Sequence, residues 1–214
     1  MKPFRLASVI ILFAFLLLAA GLVLHAQDTK DSVVIPHYNA SLAQEANGKY
    51  ADALKEMEAI PTNARSDYAV VLRFGWLEYM NAKYDLAEKY YRQAVAAAPK
   101  SVEALLGLTL PLAAVQDWTQ VEATYHKVLA LEPVNYTAHL RLGQMYMNRG
   151  DNNAAAAHFA NALEHYPAAY EAVLSSGWNE FSLGNKDAAR RLFERALMMS
   201  PGDTSALRGL SGLK

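Results

Sequence analysis

A spacing of 34 residues runs through this chain. Pro99, Pro133, Pro167 and Pro201 follow one another at that step. Ala53, Ala87, Val121, Ala155 and Ala189 form a second ladder with the same step. Four residues after each stands a large side chain: Met57, Tyr91, Tyr125, Phe159 and Phe193. Three residues further on comes a small or aliphatic one: Ile60, Ala94, Val128, Ala162 and Ala196. A fixed period of this length marks a repeat array, in which one supersecondary unit is copied and stacked on its neighbours. Prolines and small-then-large pairs kept in one step leave little room for an ordinary helical bundle whose periodicity arose by chance.

The 53% apolar content is high for a soluble domain, and the first residues account for part of it. Lys2 and Arg5 precede an uncharged run of 19 residues, Leu6 to Leu24. Ala26, ahead of Gln27-Asp28, offers a cleavage point. Residues 1–26 therefore read as a secretory signal peptide cut after Ala26. At about 1.5 Å per residue the same run nearly crosses a ~30 Å hydrocarbon core, so an uncleaved membrane anchor is the alternative. Both readings keep Lys2 and Arg5 on the cytoplasmic side and carry the rest of the chain across the membrane. The expected location is extracytoplasmic: a bacterial periplasm or a secreted form, either free or tethered to the inner membrane by this segment. Membrane contact is expected only through residues 1–26, and only if they stay uncleaved.

Without that segment the chain has 18 basic and 21 acidic residues, a net charge of −3. That is no footprint for nucleic acid. The chain has no cysteine, which excludes disulfides, thiolate zinc sites, iron–sulfur clusters and cysteine nucleophiles. Residues 27–33 are short and polar and read as a linker.

The clearest unit is 136–169. Tyr136 to Asn148 reads as one amphipathic helix, Arg149-Gly150-Asp151 as a helix stop and following cap, and Asn153 to Leu163 as a second helix ending before Pro167. Gly143 and Ala155 fall where two antiparallel helices approach most closely, and Phe159 fills the space left over. The succession Leu142-Gly143, Tyr146, Ala155, Phe159, Pro167 resembles the tetratricopeptide repeat. His139 departs from the aromatic or aliphatic residue usual at its position. Units 68–101 and 170–203 repeat the pattern, with Glu78 and Glu180 where the family usually has Tyr. Unit 102–135 is weaker. Leu108-Thr109 replaces the leucine-glycine pair, and Pro111 falls inside the first helix, where it should bend that helix or shift its start. Residues 34–67 read as a degenerate unit with its turn at Asn47-Gly48 and an early Pro61 that shortens the second helix. Residues 204–214 read as a C-terminal cap with Leu207 and Leu210 as its apolar face.

The resemblance covers about residues 34–214. It implies an all-α fold, a right-handed superhelix (α-solenoid) of about five 34-residue helix-turn-helix repeats with a C-terminal capping helix. In this family the first helix of each unit lines a concave face on which partner peptides lie. Helical spacing places on that face Leu72, Trp76 and Tyr79; Leu106 and Leu110; Leu140, Gln144 and Met147; and Leu174, Trp178 and Phe181, with Arg73 and Arg141 beside them. Trp, Tyr and Arg are the side chains that most often anchor partners. A groove of this kind suits an amphipathic helix or an extended apolar peptide. The basic and amide clamp that some relatives use on C-terminal carboxylates is not reproduced.

Phosphate-cradling glycine loops, a Gly-x-Ser-x-Gly elbow and a His-Glu-x-x-His pair are all missing from the sequence. No catalytic residue, metal site or cofactor is expected. The sequence predicts an exported scaffold that binds a protein or peptide in an apolar concave groove. The alternative is a membrane-anchored subunit organising an envelope or secretion assembly.

Overall fold

The computed structural model describes residues 32–214, which are helical throughout apart from turns, with no strand among them. The signal-or-anchor segment 1–26 lies outside the described residues, as does most of the 27–33 linker. Ser32 and Val33, read as linker, are the first described residues of α1. The chain divides into two compact units, one ending at Ala97 and one running from Ala98 to Lys214.

In the first unit α1 (32–46) and α2 (Tyr50–Glu58) are followed by a 3₁₀ turn (Thr62–Ala64), α3 (Tyr68–Met80) and α4 (Tyr84–Ala97). The second unit contains α5 (Val102–Ala114), α6 (Trp118–Leu131), α7 (Tyr136–Asn148), α8 (Asn152–His165), α9 (Tyr170–Ser182), α10 (Lys186–Met199) and α11 (Thr204–Gly212). First helices begin at Tyr68, Val102, Tyr136, Tyr170 and Thr204, and second helices at Tyr50, Tyr84, Trp118, Asn152 and Lys186. Every start is 34 residues from the last.

The starts are set by local chemistry. Asp67, Ser101, Asn135 and Asp203 each accept a backbone N–H in the first turn of α3, α5, α7 and α11, and Asp117 and Asp151 do so for α6 and α8. Each such cap satisfies a donor that the helix itself cannot. The ends are set by the prolines: α4, α6, α8 and α10 all stop two residues before Pro99, Pro133, Pro167 or Pro201. At the ladder position before Pro99 stands Arg65 instead. Its guanidinium donates to the carbonyls of Ile60, at 2.6 Å, and Glu58, at the end of α2. Early Pro61 goes with an α2 of 9 residues, against 14 in the other second helices.

Pro111 leaves the start of α5 unshifted at Val102 and lies buried within the helix. It supplies no N–H to the carbonyl four residues back, and nearby the Thr109 hydroxyl donates to the Leu106 carbonyl at 2.7 Å.

Packing follows the small-then-large rule. A Cβ placed on Gly143 would lie 2.6 Å from the Phe159 ring, and one on Gly177 2.9 Å from the Phe193 ring. Ala155, Phe159 and Ala162 are fully or almost fully buried with Leu140 and Ala172; Ala189, Phe193 and Ala196 repeat this with Val173 and Ala206. Before them, Ala53, Leu54, Met57 and Ile60 pack with Val70, Phe74 and Leu77. The turn inside each helix pair uses one residue at positive φ: Gly48, Ala82, Gln116, Gly150 and Gly184, again in steps of 34.

The cap differs in one respect from the expectation. Leu210 is partly buried, but Leu207 is 47% exposed, and Ala206 and Gly209 make the close contact with the preceding pair. Leu207 occupies the repeat position of Val71, Leu105, His139 and Val173, which are buried. Those four have a second helix folded over them, whereas no helix among the described residues lies over Leu207 in that way.

Candidate interaction surface

In the first unit the predicted surface residues lie on α3. Leu72, Trp76 and Tyr79 are partly exposed. Arg73 is not a surface residue: it is 7% exposed. Its Nε donates to Ser41 Oγ and its Nη1 to Glu45 Oε2, both at 2.8 Å, and its guanidinium carbon lies 5.3 Å from the Tyr38 ring centre. The other Glu45 oxygen accepts the Trp76 indole N–H at 2.6 Å. One carboxylate thus ties α1 to two side chains of α3, and Arg73 is corrected from a groove flank to an internal tether. A buried guanidinium needs such partners, because an unpaired charge out of water is costly.

In the second unit Leu106 and Leu110 on α5 are partly exposed, as are Gln144 and Met147 on α7 and Leu174, Trp178 and Phe181 on α9. Arg141 is exposed. Leu140, expected on this lining, is 2% exposed and belongs to the core against Phe159. Arg141 Nη1 donates to Glu171 Oε1 at 2.7 Å and to Gln144 Oε1 at 2.8 Å. The Gln144 amide donates in turn to Glu171 at 3.1 Å and to Ser175 Oγ at 3.3 Å. The result is a polar strip linking α7 to α9 on the solvent side.

Trp178 is committed to its own unit. Its ring meets Phe181 and Phe193 edge-on, at 5.6 and 5.1 Å between centres, its N–H donates to Ser205 at 2.9 Å, and Arg208 lies over its face. Both tryptophans therefore join first helices to their neighbours and leave only part of each ring to solvent.

Beyond these residues the structure brings together Trp118, Met145, Asn148 and Arg149 around a cleft of about 320 Å³. Trp118 opens α6, is 47% exposed, and stands where the other second helices have Tyr50, Tyr84, Asn152 and Lys186. A tryptophan where the other repeats have tyrosine, asparagine or lysine was the available signal. Next to the cleft, Glu122 accepts the Tyr146 hydroxyl at 2.8 Å and pairs with Arg149. The Arg149 hydrogen bond, aided by Tyr146, holds the Glu122 carboxyl below its ordinary range, and Glu122 in turn pushes the Tyr146 hydroxyl up. No group of three or more His, Asp or Glu able to hold a metal ion occurs among the described residues, and no helix there is long and apolar enough to cross a membrane.

Helix pairs in strict 34-residue register, with Gly143 and Gly177 closed by Phe159 and Phe193, define a helical-repeat scaffold. A family model described as Tetratricopeptide repeat matches residues 72–109, 112–159 and 146–206, more than half of the chain. The chain belongs to the tetratricopeptide-repeat family. It is 25% identical over 152 residues to tetratricopeptide repeat protein 8 of Caenorhabditis elegans, across 70% of this chain but only 30% of that protein. It therefore spans less than a third of that relative's length. Among solved structures, a tetratricopeptide repeat protein from Parabacteroides merdae has a TM-score of 0.73 at 20% identity, covering 85% of this chain and 72% of that one. MamA gives 0.67 at 17% identity, over 78% and 91% of the two chains. YrrB, described as a TPR protein with an unusual peptide-binding site, gives 0.66 at 17% identity, over 87% and 95%. These likenesses are of fold. A tetratricopeptide-repeat scaffold serves protein interaction, and at this level the fold and the family agree.

Proposed function

We propose that this chain is an exported scaffold that holds a peptide or helix of a partner protein along the α5, α7 and α9 face of its second unit. The observation that carries this reading is the polar strip of Arg141, Gln144, Glu171 and Ser175 together with partly exposed Leu106, Leu110, Met147, Leu174 and Phe181. Apolar partner side chains would fill the lining, and the strip would offer donors and acceptors to the partner's backbone. Binding alone is the mechanism, with no bond made or broken. Trp76 and Trp178, already hydrogen-bonded within the scaffold, would stiffen the surface more than anchor the partner. The peptide-binding site named for YrrB supports the class of ligand and says nothing of its sequence.

Photo-crosslinking side chains placed at Leu110, Met147 and Phe181 test this, with Glu164 on the exposed side of α8 as the control. The same partner captured from all three positions and not from Glu164 is the expected result. Capture that instead centres on Trp118 or Met145 would reassign binding to the cleft.

Export is part of the proposal and rests on Lys2, Arg5 and the uncharged run Leu6–Leu24. The length of that run favours a second reading, an anchored subunit of an envelope or secretion assembly. The intact mass of the exported protein decides between them: loss of residues 1–26 gives the free scaffold, and their retention gives the anchored one.

A further inference from the structure

His139 departs from the family pattern, and the structure shows what it meets. Its Nδ1 lies 3.0 Å from Nδ1 of His158 on α8, and its Nε2 lies 2.9 Å from the Pro133 carbonyl. A carbonyl only accepts, so His139 Nε2 carries the hydrogen. In the neutral ring its Nδ1 is then a lone pair, and the hydrogen between the two rings must come from His158. The pair has one consistent arrangement: His158 Nδ1–H donates to His139 Nδ1, and His139 Nε2–H donates to Pro133.

This hydrogen bond joins α7 to α8, and His139 is 6% exposed. The Tyr146 ring stacks on His158, 5.5 Å between centres and 7° from parallel. In the repeat register, positions 139 and 158 correspond to Val173 and Leu192 in the next repeat and to Leu105 and Thr124 in the one before. They also correspond to His37 and Glu56 in the first unit, which pair at 3.1 Å. A polar pair thus recurs at this position, but only at 139 and 158 are both partners bases.

We propose that His139–His158 is a proton-sensitive latch that loosens α7 from α8 on mild acidification. A first proton, at His158 Nε2, keeps the hydrogen bond but creates a charge in a half-buried site. A second would set two N–H groups against each other across 3.0 Å. The groups facing the pair are Glu122 and His126 from α6 and Tyr146 from α7, while Arg149 is held on Glu122. Burial, then His139, then His126 all lower the His158 pKa from the ordinary 6.5, and Glu122 alone opposes them. The sign follows by linkage. As pH falls from about 6.5 the unfolded chain takes up a proton before the folded one does, so stability is lost as pH drops through the folded-state pKa. The latch stands independently of what the scaffold binds.

Hydrogen exchange followed by mass spectrometry on the full chain at pH 7.5 and 5.0, corrected for intrinsic exchange, tests it. Protection of residues 136–165 should fall several-fold relative to residues 170–199, where Val173 and Leu192 occupy these positions. His139→Val with His158→Leu should abolish that difference. Parallel changes in the two segments of the unmodified chain, or a fall that persists in the double variant, would overturn the proposal. Should the variant fail to fold, nitrogen-15 NMR of the unmodified imidazoles decides. It should show His158 Nδ1–H and His139 Nε2–H at pH 7.5 with His158 titrating below 6.5, and the opposite tautomers or a titration at or above 6.5 would overturn it.

Discussion

The ring of Phe159 fills the space that a side chain on Gly143 would need: a Cβ there would stand 2.6 Å from ring carbon. Alanine at this helical position would gain about 1 kcal/mol of propensity. Overpacking a closed core costs about 1–3 kcal/mol. Gly143→Ala should therefore be a net loss in urea denaturation, and adding Phe159→Leu should recover part of it. Strict additivity of the two changes would refute the contact as the cause.

The turn positions make a matched comparison. Gly150 has φ of 81° and Gln116, at the same place one repeat earlier, has φ of 62°. A side chain in this region costs about 1–2 kcal/mol. Gly150→Ala should destabilise by about 1 kcal/mol, whereas Gln116→Gly should be neutral or stabilising by up to about 1 kcal/mol, because added chain entropy offsets the relief of strain. Denaturation midpoints moving the same way in both variants would contradict this.

Glu45 serves two donors of α3, and its loss would leave buried Arg73 short of a counter-charge. Breaking a buried pair from one side costs about 3 kcal/mol. Glu45→Ala should free α1, read as faster hydrogen exchange in residues 32–46. Arg73→Met, which removes the charge along with the pairing, should cost less. Equal effects of the two would show that the charge is not the issue.

Glu78 sits where Tyr146 stands two repeats on, and it is 5% exposed with Lys83, at 3.7 Å, as its one counter-ion among the described residues. Burial raises its pKa above the ordinary 4.5, with Lys83 opposing. The folded state then holds the proton more tightly, so stability falls as pH rises from about 4.5 through the folded-state pKa. Glu78→Gln should stabilise the chain at pH 7.5 and lose that advantage toward pH 4.5. A benefit independent of pH would point to packing instead.

Much of the fold was legible because repeat positions carry local chemistry. Pro99 and its three successors stop helices by a steric rule that depends on no neighbour, and Gly143 with Phe159 announces a close approach through size alone. The register of α2 to α11 follows from such residues. The surface was less legible. Spacing puts Arg73 and Arg141 at one repeat position, yet one is buried and the other exposed. The difference lies in Ser41 and Glu45, which come from another helix. Leu140 likewise faces the core by a margin of rotation that periodicity does not resolve. The His139–His158 contact joins residues 19 apart whose meeting depends on how α7 lies on α8, and the Trp118 cleft is built from two different turns.

The positive-φ turns and the proline stops recur at one interval, and the chain passes each in the same conformation. Growth or shrinkage of such a molecule is therefore quantised. Excising residues 136–169 would bring Asn135 before Tyr170, handing α9 the side-chain cap that Ala169 does not supply. Removing any other number of residues from the same stretch would rotate every later helix out of phase with its neighbour. The 34-residue step is thus also the unit in which this protein can change length.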